Sequence, residues 1–119
     1  METTSRERAR PFVAKDGSLI REIVHPRSSG ARNQSLAEAT VRPGARTREH
    51  HHGRSEEIYY ILEGRGRVHV GTEAREVERT EAIIIPPGVH HYIENTGAVD
   101  LVFLCCSAPS YWDEDMVLE

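Results

Sequence analysis

His50 and His52 stand two residues apart, Glu57 follows five positions on, and Ile85–Gly97 carries a further pair, His90 and His91. Imidazole nitrogens and carboxylate oxygens are the donors a divalent transition ion takes, and Fe(II), Mn(II), Co(II), Ni(II), Cu(II) and Zn(II) all suit them. Side chains alternate along a β-strand, so His50 and His52 point one way and His51 the other. Glu57 belongs to a second strand-like run, EIYYILEG, across the turn-prone Gly53-Arg54-Ser55. Three imidazoles and one carboxylate arriving from different strands make a site for one such ion. Four protein ligands in an octahedral field leave two positions for a chelating substrate, or for substrate and dioxygen together. There is no CxxC, so neither a thiolate zinc site nor a dithiol redox motif competes with this reading.

The elements that must position these residues are short. Residues 1–10 read as a frayed arm. RPFVA and LIREIV flank Lys15-Asp16-Gly17-Ser18 as a hairpin, since Asp-Gly between apolar runs is a strong turn signal. Ser35–Val41 is the next strand, ending at Pro43-Gly44. In Glu57–Glu63, Tyr59 and Ile61 share the face of Glu57, while Ile58, Tyr60 and Leu62 face outward. A strand that is apolar on both faces needs cover on both, from another sheet or from a partner subunit. RVHV, AREVE, Ile83–Ile85, Val89–Glu94 and the apolar run Leu101–Cys106 complete the series. Pro109 opens a tail that reads as a short helix or an ordered arm placing Tyr111 and Trp112. No run of ten or more residues keeps a helical period, and short strands between Gly, Pro and Asn turns predict an all-β sandwich or barrel.

Bulk properties narrow the function classes. A chain of 119 residues is one domain's worth. No apolar run approaches the ~20 residues of a membrane helix, and the polar, arginine-bearing N-terminus lacks a secretory core. The net charge is −4 and the basic residues are dispersed, which argues against nucleic acid as a partner. Cys105 and Cys106 are adjacent, so on a strand they face opposite ways and cannot readily pair. They read as two small apolar side chains in a reducing, cytoplasmic setting.

Gly44, His50, His52, Glu57 and Gly64 follow a known pattern: Gly, five residues, His-x-His, four residues, Glu, six residues, Gly. Pro86, Gly88, His91 and Asn95 follow a second, Pro-x-Gly, two residues, His, three residues, Asn. In both, over roughly Ser35–Ala108, the chain resembles the cupins, small proteins built as a double-stranded β-helix or jelly-roll barrel. One departure is Thr80, which stands where the second motif opens on glycine. The resemblance implies a single domain over 1–119, with a core barrel at about 35–108, an N-terminal arm and hairpin at 1–34 and a tail at 109–119. It also implies that His50, His52, Glu57 and His91 bind one divalent metal per chain, which selects His91 over His90.

Around that centre, Tyr59 is a candidate to line the cavity and touch a substrate. Arg48, two residues before His50, is a candidate to hold a substrate carboxylate or phosphate. Asn95 reads as a turn stabiliser, His51 and His90 as outward neighbours of ligands, and His69 as a half-exposed strand residue. The function this predicts is a metal-dependent enzyme for a small, polar, anionic metabolite, with a dioxygenase first and an isomerase or lyase second. A sugar- or metabolite-binding barrel without turnover is the reading from a different class, since few acid or base groups are evident beyond the ligands. Small cupins often pair, and the two-faced strand fits a homodimer.

Overall fold

A computed structural model describes residues 1–119 as two antiparallel sheets facing one another. The strands are β1 (Phe12–Val13), β2 (Leu19–Val24), β3 (Ser35–Val41), β4 (His50–His52), β5 (Glu56–Glu63) and β6 (Arg65–Val70). They continue as β7 (Glu73–Glu78), β8 (Ala82–Ile85), β9 (His91–Asn95), β10 (Leu101–Ala108) and β11 (Met116–Leu118). One sheet runs β1-β2-β3-β10-β5-β8 and the other β11-β4-β9-β6-β7. This is the double-stranded β-helix of a jelly roll, with the expected hairpin β1–β2 extending one sheet. No helix is long and apolar enough to cross a membrane.

Alternation decides what faces inward. On β5, Glu57, Tyr59 and Ile61 are buried while Ile58 and Tyr60 are exposed, as the sequence pattern predicts. β10 pairs with β5 and β3 at once, setting Ser107 opposite Glu57 and Phe103 opposite both Ile61 and Ala39. Read down these inward faces, the barrel changes character. One end carries His50, Glu57, His91 and Ser107; the other is packed with Val41, Ile61, Ile93, Leu101 and Phe103. Burying each large apolar side chain there contributes about 1.5–3 kcal/mol. The apolar end is a plug and the polar end a socket.

Asn95 closes the plug. Its amide donates to the carbonyls of Val41 and Val99, both at 2.8 Å, and its own oxygen accepts from Gly97 N–H at 2.9 Å. Gly64, the last residue of the first motif, has φ +78°, and a Cβ there would lie 2.6 Å from the Asp100 carbonyl. Thr80 has φ +74°, the left-handed conformation that glycine adopts without strain. The turn keeps the backbone of the usual glycine although it carries a β-branched side chain.

Two expectations are corrected. Residues 1–10 are not a frayed arm, because the outer face of β3 carries a mostly buried carboxylate, Glu38, that needs a counter-charge. Arg6 Nε supplies it at 2.9 Å, and Gly30 N–H donates to Glu2 at 2.9 Å. The tail holds the expected short helix but then ends in a strand that was not expected. A 3₁₀ turn at Asp113–Asp115 leads into β11, which pairs Met116 with His52 and Leu118 with His50. Without it β4, three residues long, would be an unpaired edge; β11 satisfies its backbone groups instead. The Asp115 carboxylate also accepts from Arg54 N–H at 3.0 Å and Ser55 N–H at 3.1 Å, which holds the turn between β4 and β5.

Candidate metal centre

The four residues that the cupin resemblance implies as metal ligands come together at one point. β4 supplies His50 and His52, β5 supplies Glu57, and β9 supplies His91, paired directly across from His50. One ligand atom from each lies within 4.8 Å of every other, and all four residues are buried. Glu57 Oε1 sits 3.0 Å from His52 Nε2 and 3.2 Å from His91 Nε2.

The backbone sets the imidazole orientation. His50 Nδ1–H donates to the Arg48 carbonyl at 2.7 Å, and His91 Nδ1–H donates to the Val89 carbonyl at 2.9 Å. The same device, a carbonyl two residues upstream, leaves both Nε2 lone pairs aimed at the centre. Ser107 Oγ–H donates to Glu57 Oε2 at 3.1 Å, holding one carboxylate oxygen and leaving Oε1 for the centre. His52 differs, since neither of its ring nitrogens has a hydrogen-bond partner.

His52 Nε2, His91 Nε2 and Glu57 Oε1 are buried and make no hydrogen bond of sound geometry, although they converge. Buried polar atoms in this condition are costly, and a shared cation at their meeting point would satisfy all three. Three imidazole nitrogens and one carboxylate oxygen, with no thiolate, fit a divalent transition ion in a site that keeps open positions. Electrostatics agree. Burial and the nearby His91 push the His50 imidazole below its ordinary range, favouring the neutral, ligating form. Burial alone would lower His52 too, but the Glu57 carboxylate outweighs it and holds the imidazole up. Glu57 is opposed by its own burial, yet His52 and His91 hold its carboxyl well below the usual range.

The centre opens on a cavity of about 50 Å³. Tyr59 lines it as expected, buried against Phe103 (ring centroids 4.7 Å apart), and burial pushes its phenol well up. Arg48 does not enter it. Its side chain is exposed; its backbone serves the site, accepting from His50 and donating N–H to the Asp16 carbonyl at 2.8 Å.

That last bond docks a residue whose role the sequence does not show. Asp16, at the tip of the β1–β2 hairpin, is 7% exposed and faces the cavity. Its Oδ1 accepts from Ser18 N–H at 3.0 Å and Ser18 Oγ–H at 2.7 Å, while Oδ2 lies 4.0 Å from His50 Nε2. In sequence Asp16 is one half of an Asp-Gly turn, and nothing local distinguishes it from any other. Ser107 was legible in principle, as the inward residue of β10 that falls opposite Glu57.

The remaining histidines stand outside the centre. His51 and His90 stack on the outer face with rings 9° from parallel, beside Glu119. His69 stacks on Tyr92 and approaches Glu94 at 3.1 Å, half-exposed as expected. His25 is fully buried between the strands and the tail; its Nδ1 accepts from Arg27 N–H, so Nε2–H donates to the Tyr111 carbonyl.

Comparison with known proteins places this geometry. An uncharacterized protein of Methanocaldococcus jannaschii is 50% identical over 112 residues, 94% of this chain and 90% of its own. The tetracenomycin polyketide synthase protein TcmJ of Streptomyces glaucescens is 35% identical over 71% of this chain and 57% of its own length. The crystal structure of a predicted oxalate decarboxylase of Thermotoga maritima superposes with a TM-score of 0.80 at 23% identity, over 91% of this chain and 99% of that one. At that identity the likeness is one of fold. The sequence profile of the cupin domain matches residues 37–107, which spans every ligand, and the chain belongs to the cupin domain family.

Proposed function

We propose that the protein is a metal-dependent enzyme that converts a small polar molecule at the His50–His52–Glu57–His91 centre. The observation that carries this reading is the set of orphaned, buried donor atoms opening onto a cavity that also holds Asp16. A bound divalent ion would supply Lewis acidity and open positions for oxygen atoms of the substrate. The chain's own residues do the rest. His50 and His91 are held in the ligating tautomer by Arg48 and Val89, and Ser107 fixes the Glu57 carboxylate. Tyr59 and Phe103 close the cavity floor against water. Asp16 Oδ2 is placed to accept a hydrogen from a ligand, the acid/base group whose absence would have favoured a binding barrel without turnover.

Isomerase or lyase chemistry suits this arrangement best, because such reactions move protons and Asp16 provides for that. Dioxygenase chemistry is the second reading, favoured by the nitrogen-rich donor set with positions to spare. Metal analysis of protein purified without a histidine tag, together with His91→Ala, tests the centre. One ion per chain in the wild type and its loss in the variant are expected; a metal-free wild type, or full loading of the variant, refutes it. Oxygen consumption during turnover would move the reading to the second chemistry.

We also infer a homodimer. Ile58, Tyr60 and Ile84 crowd the outer face of β5 and β8 at 39%, 40% and 66% exposure, an apolar surface suited to a second copy. The two unpaired cysteines fit a reducing, cytoplasmic setting.

A further inference from the structure

We infer that the cavity selects a small, neutral ligand bearing a hydroxyl group and a short carbon face, and rejects dianions. The inference rests on the metal reading above and concerns what the chain's own residues add to it. Two carboxylates face the cavity near the centre, Glu57 and Asp16. A third, Glu22 at the rim, is paired with Arg27 at 3.2 Å. No lysine or arginine lines the cavity. Arg48 is exposed, and Lys15, beside Asp16 in sequence, turns away to the carbonyls of Asp113 and Met116, 3.0 Å from each.

The local charge therefore closes at zero. A divalent ion contributes two positive charges, Glu57 and Asp16 one negative charge each, and ligating imidazoles none. A neutral ligand preserves that balance. A dianion would bring two negative charges beside Asp16, in a partly enclosed cavity with no cationic side chain to receive them, where screening by water is weaker than in bulk. Asp16 cannot easily retreat. Its backbone carbonyl is held by Arg48 N–H and its other oxygen by Ser18.

The hydrogen-bonding inventory points the same way. Ser107 Oγ–H is committed to Glu57, whereas Ser35 Oγ accepts from Tyr111 N–H at 2.8 Å and keeps its own hydrogen for a ligand oxygen. Asp16 Oδ2 is left as an acceptor without a donor, which a ligand hydroxyl supplies. Phe12, Ala37, Ala39 and Phe103 form an apolar wall for carbon atoms, and about 50 Å³ admits only a few heavy atoms. A short hydroxyketone or polyol has this chemistry. The anion that Arg48 suggested from sequence does not.

The test titrates the full-length, manganese-loaded protein calorimetrically with oxalate, a dianionic chelator, and with hydroxyacetone, a neutral hydroxyketone. Asp16→Asn keeps the shape and turn contacts but removes the charge, and Asp16→Ser is a smaller neutral alternative should the amide disturb the turn. Removing the charge should tighten oxalate by on the order of tenfold. Hydroxyacetone should weaken severalfold in Asp16→Ser, whose shorter side chain cannot reach the ligand. Oxalate affinity unchanged in both variants overturns the inference, and so does a wild type saturated by micromolar oxalate. Metal content measured on the same samples separates the two levels. A wild type that holds no divalent ion refutes the metal reading, and this inference with it; a loaded wild type with charge-independent oxalate binding refutes only the inference.

Discussion

At the scale of single residues, the centre depends on groups that touch no ligand position themselves. Ser107 is the clearest, because its hydroxyl alone fixes which Glu57 oxygen faces the imidazoles. Ser107→Ala should weaken metal affinity by about tenfold while leaving the thermal unfolding curve nearly unchanged, as read by competition with a chromophoric chelator. Metal affinity should also fall as pH drops. Glu57 holds the His52 proton on above the ordinary imidazole value of 6.5, so the ion must displace that proton already near neutrality. His50, held low, and Glu57, held far lower, should not limit uptake until the solution is more acidic. Chelator competition between about pH 5 and 8 should show affinity lost first through His52; a flat profile across that range would contradict the geometry. His50 and His52 were legible as a pair because strand parity acts locally, while Glu57 and His91 were singled out from their neighbours by the cupin motifs. Asp16 was not, because its place over His50 depends on a hairpin docking through Arg48 N–H, a contact 32 positions away in the chain.

At the scale of elements, the turn before β8 shows a sequence departing from its family pattern while the backbone does not follow. Thr80 holds φ +74° and its N–H still reaches the Ile61 carbonyl at 3.0 Å. A β-branched residue there carries strain that glycine lacks, partly offset by the larger entropy glycine loses on folding. Thr80→Gly should therefore stabilise the fold by about 1 kcal/mol in denaturant unfolding, without altering the metal centre. A loss of stability would show that the threonine side chain makes a compensating contact. Most strands and their turns were readable from alternation and from Gly, Pro and Asn punctuation. β11 was not, since three residues after a polar, acidic stretch carry too little pattern to mark a strand. Its strand character comes from β4, whose open edge it completes, and the same long-range dependence tied the N-terminal arm to Glu38.

At the scale of the whole molecule, the outer face of the β5–β8 pair is the feature a lone subunit leaves uncovered. Light scattering at micromolar concentration should give twice 13.4 kDa, and Ile84→Arg should return the mass to the monomer value with the metal centre still filled. A wild type already at the monomer mass would sink the homodimer. Inside the barrel, the division between apolar plug and polar socket has a different consequence, one that concerns how such chains change over time. The two sets of residues share Ala39, Tyr59 and Phe103, but Asp16, Ser35 and Tyr111 line the cavity without belonging to the apolar core, so a substitution at one of them touches little of what keeps the chain folded. Selection can then rework the socket with small penalties in stability, the conflict that usually slows the emergence of new activities. A lineage built this way diversifies in chemistry faster than in shape, which is why a TM-score of 0.80 at 23% identity says so much about the barrel and so little about what it holds.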